Sequence, residues 1–168
     1  MTRVVTIARA VLPLACLVGS CRTATQPAAV PSPAPGPQSL TRDTPRTTAE
    51  GNTFVAPAGW NISVRGPATI LEPPEGNSAI ALVDVHASSA DSAVAAAWRA
   101  YKPDAGWPLK VVNGKPDNDG WTDRSSYTYQ TSPNEKRDVS ADPQRAGDVW
   151  TVAIYDMTQA VGEKRLAQ

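Results

Sequence analysis

Cysteine is nearly absent: of 168 residues only Cys16 and Cys21 carry a thiol, and none follows position 21. The rest of the chain can form no disulfide and must be held by its own core. Histidine is scarcer still, with His86 alone. One imidazole without thiolates cannot assemble a zinc set of the usual kind, so neither a metal nor a cofactor is expected. Charge of one sign is not in excess, with 16 Lys and Arg against 16 Asp and Glu. No basic stripe appears, which argues against nucleic acid as a partner. Long apolar runs are missing too. The stretch from Ala10 to Val18 falls well short of the roughly 20 residues that a membrane-spanning helix needs.

What is present at the start is an export pattern. Arg3 and Arg9 precede the apolar run, and the small residues Gly19 and Ser20 follow it, so residues 1–20 read as a secretory signal. Val18, Gly19, Ser20 and Cys21 resemble the lipobox of bacterial lipoproteins, with Val and Ser at two positions where other residues are commoner. That resemblance implies lipid attachment at Cys21 and a membrane partner through the anchor, without a spanning helix. Arg22, rather than Asp, follows the cysteine. Among such lipoproteins this implies the periplasmic side of the outer membrane. Residues 21–50 are rich in Pro, Ala and Thr and poor in large apolar side chains, and read as a semi-rigid linker. The folded domain is expected over 51–168.

Within that domain the stretch from Ser78 to Pro103 predicts a central strand followed by a helix. Ile80 and Leu82 point to one side, and Ala81, Val83 and Val85 to the other. Ser88 and Asp91 have capping-box spacing, and Val94, Ala97, Trp98 and Tyr101 form one helical stripe. Pro103 ends it. Short strands are expected at Thr53–Ala56, Asn61–Arg65, Ala68–Leu71, Leu109–Asn113, Ser125–Thr131, Lys136–Ala141 and Val149–Tyr155. A turn is expected around Pro143–Asp148, and Asp156 with Gln159 can cap a helix over Thr158–Gln168 whose apolar stripe stops short. The fold class is therefore α+β: a mainly antiparallel sheet of about six to seven strands, one helix packed on it and a truncated C-terminal helix.

Chemistry is harder to place. Asp84 and His86 share a strand face, but no G-x-S-x-G elbow accompanies any serine. A hydrogen-bonded histidine near a strand end is the simpler reading. After Ser132 the lysine is Lys136, one position too far for S-x-x-K. Asp117, Asp119, Gly120 and Asp123 superficially suggest a calcium loop, but their spacing is not that of an EF-hand. Trp60, Trp107 and Trp121 each follow a glycine and are candidates for a stacking edge or for plugs at the core margin. No catalytic residue is expected in this chain.

The stretches FVAPAGW, LEPPEG, SAIALVDV, AVAAAWRAYKPDAGWPLKVV, YQTSPNEKRDVSA and DVWTVAIYDMTQAVGEKRLAQ resemble the N-terminal accessory region of exported serine hydrolases of the beta-lactamase and penicillin-binding family. The resemblance implies a non-catalytic domain that orients a serine hydrolase catalytic domain, here a fragment or truncated relative without it. The alternative is a stand-alone periplasmic lipoprotein acting as a ligand- or envelope-binding module.

Overall fold

The computed structural model describes residues 36–165. The signal segment, Cys21, the first part of the linker and the last three residues of the expected C-terminal helix lie outside the described residues. The elements run β1 (Gln38–Ser39), β2 (Thr44–Thr47), β3 (Thr53–Ala56), β4 (Asn61–Arg65), β5 (Ala68–Glu72), β6 (Ala79–Val85), α1 (Ala90–Tyr101), β7 (Leu109–Gly114), β8 (Ser125–Tyr129), β9 (Arg137–Ala146), β10 (Val149–Thr158) and α2 (Gln159–Arg165). Eight strands form one sheet in the order β1-β4-β5-β6-β10-β9-β8-β7, antiparallel throughout, while β2 and β3 form a separate two-stranded ribbon.

The α+β class holds, but the described residues contain ten strands rather than six or seven. Two of the additional ones, β1 and β2, lie in the stretch expected to be linker. Neither has an apolar run of its own. They are strands because β4 and β3 supply the ladder partners, Gln38 opposite Ile62 and Pro45 opposite Val55. Leu40 beside them is buried, so ordered structure begins before Gly51.

The central pair is β6 and β10, and both have apolar residues on both faces, as a strand covered on each side must. On one face Ala81, Val83, Val152 and Ile154 pack with Ala93, Val94 and Ala97 of α1. On the other, Leu71, Met157 and Trp60 pack with Leu40, Ala56 and Val161. Helix α1 starts one residue later than expected. Ser89 is the N-cap, its hydroxyl accepting from Ser92 N at 3.2 Å while Ser89 N donates to Ser92 Oγ at 3.0 Å. Asp91 is drawn away instead, accepting the Tyr127 hydroxyl at 2.5 Å.

The turn expected around Pro143 is displaced as well. Strand β9 runs straight through Pro143 to Ala146, and the chain reverses at Gly147, whose φ of 62° suits glycine. Proline survives inside this strand because of where its nitrogen points. Arg145 N donates away from β10, to Thr122 O at 2.9 Å, and Pro143 two residues earlier faces the same way. Strand β8 pairs with β9 only at Ala141 and Ser140, so no ladder bond is lost there.

Candidate functional site

Five neighbouring strands each bring one polar residue to the same end of the helix-covered face, under the last turn of α1. They are Asn61 on β4, Glu72 on β5, Ser78 just before β6, Asp156 on β10 and Arg137 on β9. With Pro73, Pro74, Gly76, Asn77, Tyr101 and Lys102 they line an open cleft of about 380 Å³.

The register explains the alignment. Asn61 pairs with Glu72, and Asp156 pairs with both Ala79 and Val139. Helix α1 crosses this row and ends there, because Lys102 N donates to Trp98 O at 2.7 Å and Pro103 cannot continue the ladder. The side chains of Tyr101 and of the cap residue Lys102 therefore drop into the cleft.

Asp156 is the buried centre of the site. Its carboxylate accepts from Lys102 Nζ at 3.0 Å and from the Tyr101 hydroxyl at 3.4 Å, and it is paired with the Arg137 guanidinium. Arg137 is held further by Asn77, donating to its backbone carbonyl at 2.9 Å and its side-chain oxygen at 2.8 Å. Burial and the neighbouring Asp156 carboxylate push the Tyr101 hydroxyl far above its ordinary pKa, with Glu72 adding to the effect. Tyr101 is therefore a fixed hydrogen-bond donor at any physiological pH.

Lys102 differs from its partners in being about half exposed. Its ammonium lies 4.9 Å from the centre of the Trp107 ring, a cation over an aromatic face. Trp107 in turn leans on Trp98, which lies tilted against Tyr101 and meets Tyr129 edge-on. This aromatic wall backs Tyr101 and Lys102 where they enter the cleft.

The residues singled out in the sequence are elsewhere. Asp84 points to the face away from α1, accepting from Thr151 Oγ1 at 2.6 Å and Glu50 N at 2.8 Å. His86 sits past the end of β6, exposed, with Asp148 as its neighbour at 3.9 Å. No serine joins them among the described hydrogen bonds. Asp119 and Asp123 take positive φ in a surface turn, and Asp123 pairs with Arg145. Among the described residues no group of three metal-ligating side chains gathers. The three glycine-preceded tryptophans separate: Trp60 is buried in the core away from α1, Trp107 joins the aromatic wall, and Trp121 is half-buried in its own turn. Asp156 does not cap α2, since both its oxygens are engaged in the cleft.

The cleft was missed by sequence reasoning because its charged members are 19 and 54 residues apart along the chain. One signal was available. Asp156 interrupts an otherwise apolar strand, VWTVAIYDM, at a position that alternation assigns to the interior.

No family model matches the chain, and neither does any curated protein. Among solved structures the fold is similar to the solution structure of cyanobacterial PsbP (CyanoP) from Synechocystis sp. PCC 6803. The TM-score is 0.51 and the identity 11%, over 76% of this chain and 87% of that one. At that identity the likeness is one of fold. It overturns the expected kinship with accessory regions of beta-lactamase and penicillin-binding enzymes, and the serine hydrolase reading falls with it. The stretches that carried that expectation are generic in structure. FVAPAGW and LEPPEG are strands running into turns, SAIALVDV is the central strand, and AVAAAW is part of a helix. Any sheet-and-helix domain with the same turn chemistry presents such pieces.

Proposed function

We propose that this chain is an exported, lipid-anchored binding module whose working part is the cleft under the end of α1. Anchorage at Cys21 and a periplasmic position facing the membrane follow from the export pattern of residues 1–21, with residues 22–35 as spacer. The observation that carries the binding role is the buried Asp156, held by Arg137, Lys102 and Tyr101 in a concave polar site. A charge is costly to bury, and these three partners fix it in one geometry. A rigid floor of this kind, with an exposed lysine above it, suits recognition of a small polar molecule. The PsbP-like fold is compatible with a small accessory module.

Two measurements test this reading. Fractionation of cells expressing the full chain should place it in the membrane, and Cys21→Ser should release it to the soluble exported fraction; a cytosolic wild type overturns the anchored role. Thermal melts of the full chain against a panel of small polar metabolites should find at least one that raises Tm. At a hundredfold excess over Kd such a ligand stabilises by about 2.7 kcal/mol. Lys102→Gln should diminish that shift, and a panel without a single stabilising compound overturns the cleft as a binding site.

A further inference from the structure

The cleft wall carries two groups of each charge, Lys102 and Arg137 against Glu72 and Asp156, and the two pairs are not used alike. Arg137 and Asp156 satisfy one another and are closed off by Asn77 and Tyr101. Glu72 is exposed and makes no hydrogen bond or ion pair among the described residues, although it stands close enough to act on the Tyr101 hydroxyl. Lys102 spends one contact on Asp156 and keeps donors in hand, since an ammonium has three. One carboxylate and one ammonium thus remain to face the cleft. Two amides stand beside them: Asn61, with no side-chain hydrogen bond among the described residues, and Asn77, of which only the oxygen is engaged.

Their spacing follows from the sheet. Leu71 pairs with Ile80 and Asp156 with Ala79, so Glu72 and Asp156 flank the β6 position of Ala79, two strand spacings or about 9.5 Å apart at the backbone. Lys102 stands over the Asp156 end of that line. Charge arithmetic then excludes the simpler ligands. A free anion drawn to Lys102 meets Glu72, and a free cation drawn to Glu72 meets Lys102 and Arg137. A phosphate dianion is disfavoured twice over, because the wall has no surplus of positive charge.

We propose that the cleft takes a small zwitterion, an α-amino acid or a short peptide, with its ammonium on Glu72 and its carboxylate on Lys102. The amides of Asn61 and Asn77 complete the hydrogen bonding at either end. The Glu72 and Lys102 contacts are charge-assisted, and these are the stronger class of hydrogen bond. The proposal rests on the binding role of the cleft and adds to it the chemical class of the ligand.

The test is a titration of the full chain with alanyl-alanine, its N-acetyl derivative and its C-terminal amide, read by calorimetry and by amide chemical shifts. The free dipeptide should bind and move the amides of Asn61, Glu72 and Asn77, and each blocked form should bind at least tenfold more weakly. Glu72→Gln should abolish the preference for the free ammonium, and Lys102→Gln the preference for the free carboxylate. Both side chains are substantially exposed, so neither variant endangers the fold. Blocked forms binding as well as the free dipeptide overturn the charge pairing and leave the cleft as a binding site. Failure of all three compounds, while another polar metabolite shifts Tm through Lys102, overturns the ligand class alone. Failure of every compound overturns both readings.

Discussion

Asp156 has almost no contact with solvent, and its contacts come from two elements: Arg137 from β9, and Tyr101 with the cap residue Lys102 from the end of α1. Removing it leaves the Arg137 guanidinium, itself largely buried, facing the cavity without its counter-charge. Breaking a buried pair from one side in this way costs about 3–5 kcal/mol. Asp156→Ala should therefore lower the urea midpoint strongly, whereas Lys102→Gln, whose ammonium reaches solvent, should change it by less than about 1 kcal/mol. Equal effects in the two variants contradict the division between a structural floor and an accessible rim. The same residue shows what alternation can and cannot tell. Its interior position is readable from VWTVAIYDM, but its partners are not, because they depend on which strand lies beside β10 and where α1 stops.

At the scale of elements, α2 is held by few contacts. Val161 enters the core away from α1, and Glu75 in the β5–β6 turn clamps the far end through Lys164 at 2.7 Å and Arg165 at 2.6 Å. The Arg165 and Lys164 hydrogen bonds hold the Glu75 carboxyl down, from 4.5 to about 2. A depressed carboxylate stabilises the docked form fully above its unfolded pKa and loses that contribution as pH falls through the folded one. Docking of α2 should thus persist at neutral pH and weaken between pH 4.5 and about 2. Hydrogen exchange across residues 159–165 measures it: protection should fall in that window for the wild type, while Glu75→Gln should exchange faster at neutral pH and show no acid step. Screening by solvent keeps the effect small, since Glu75 is partly exposed. A wild type whose α2 protection is flat from pH 7 to 2 refutes the clamp. Helix α1 depends on local signals instead. Its boundaries are nearly legible because Ser89, Ser92 and Pro103 act within one turn of the chain, and the one-residue error came from Asp91, whose partner Tyr127 is 36 residues away.

At the scale of the whole molecule, one sheet separates two cores that share the same strands. Val152 and Ile154 of β10 pack with α1, while Met157 of the same strand packs with Trp60, Leu71 and Val161 on the other side. Neither core can open without disturbing the strand common to both. Met157 is buried almost completely, and Met157→Ala should cost about 2–5 kcal/mol. The loss should appear with one midpoint whether followed by the amide signals around Trp60 and Leu71 or by those of Val94 and Ala97 in α1. Separate midpoints for the two probes mean that the cores fold independently.

Most strand and helix positions over residues 53–155 were written into the chain, because alternation, helical spacing, caps and glycine turns act over a few residues and need no distant partner. The α+β class followed from them. Tertiary structure alone decided that Gln38–Ser39 and Thr44–Thr47 are strands, that Pro143 lies within one, and that Asn61, Glu72, Asp156, Arg137 and Lys102 meet at one cleft. Each of these depends on strand order and register, which bring Lys102 and Asp156, 54 positions apart, into hydrogen-bonding distance, and no local pattern encodes that neighbour.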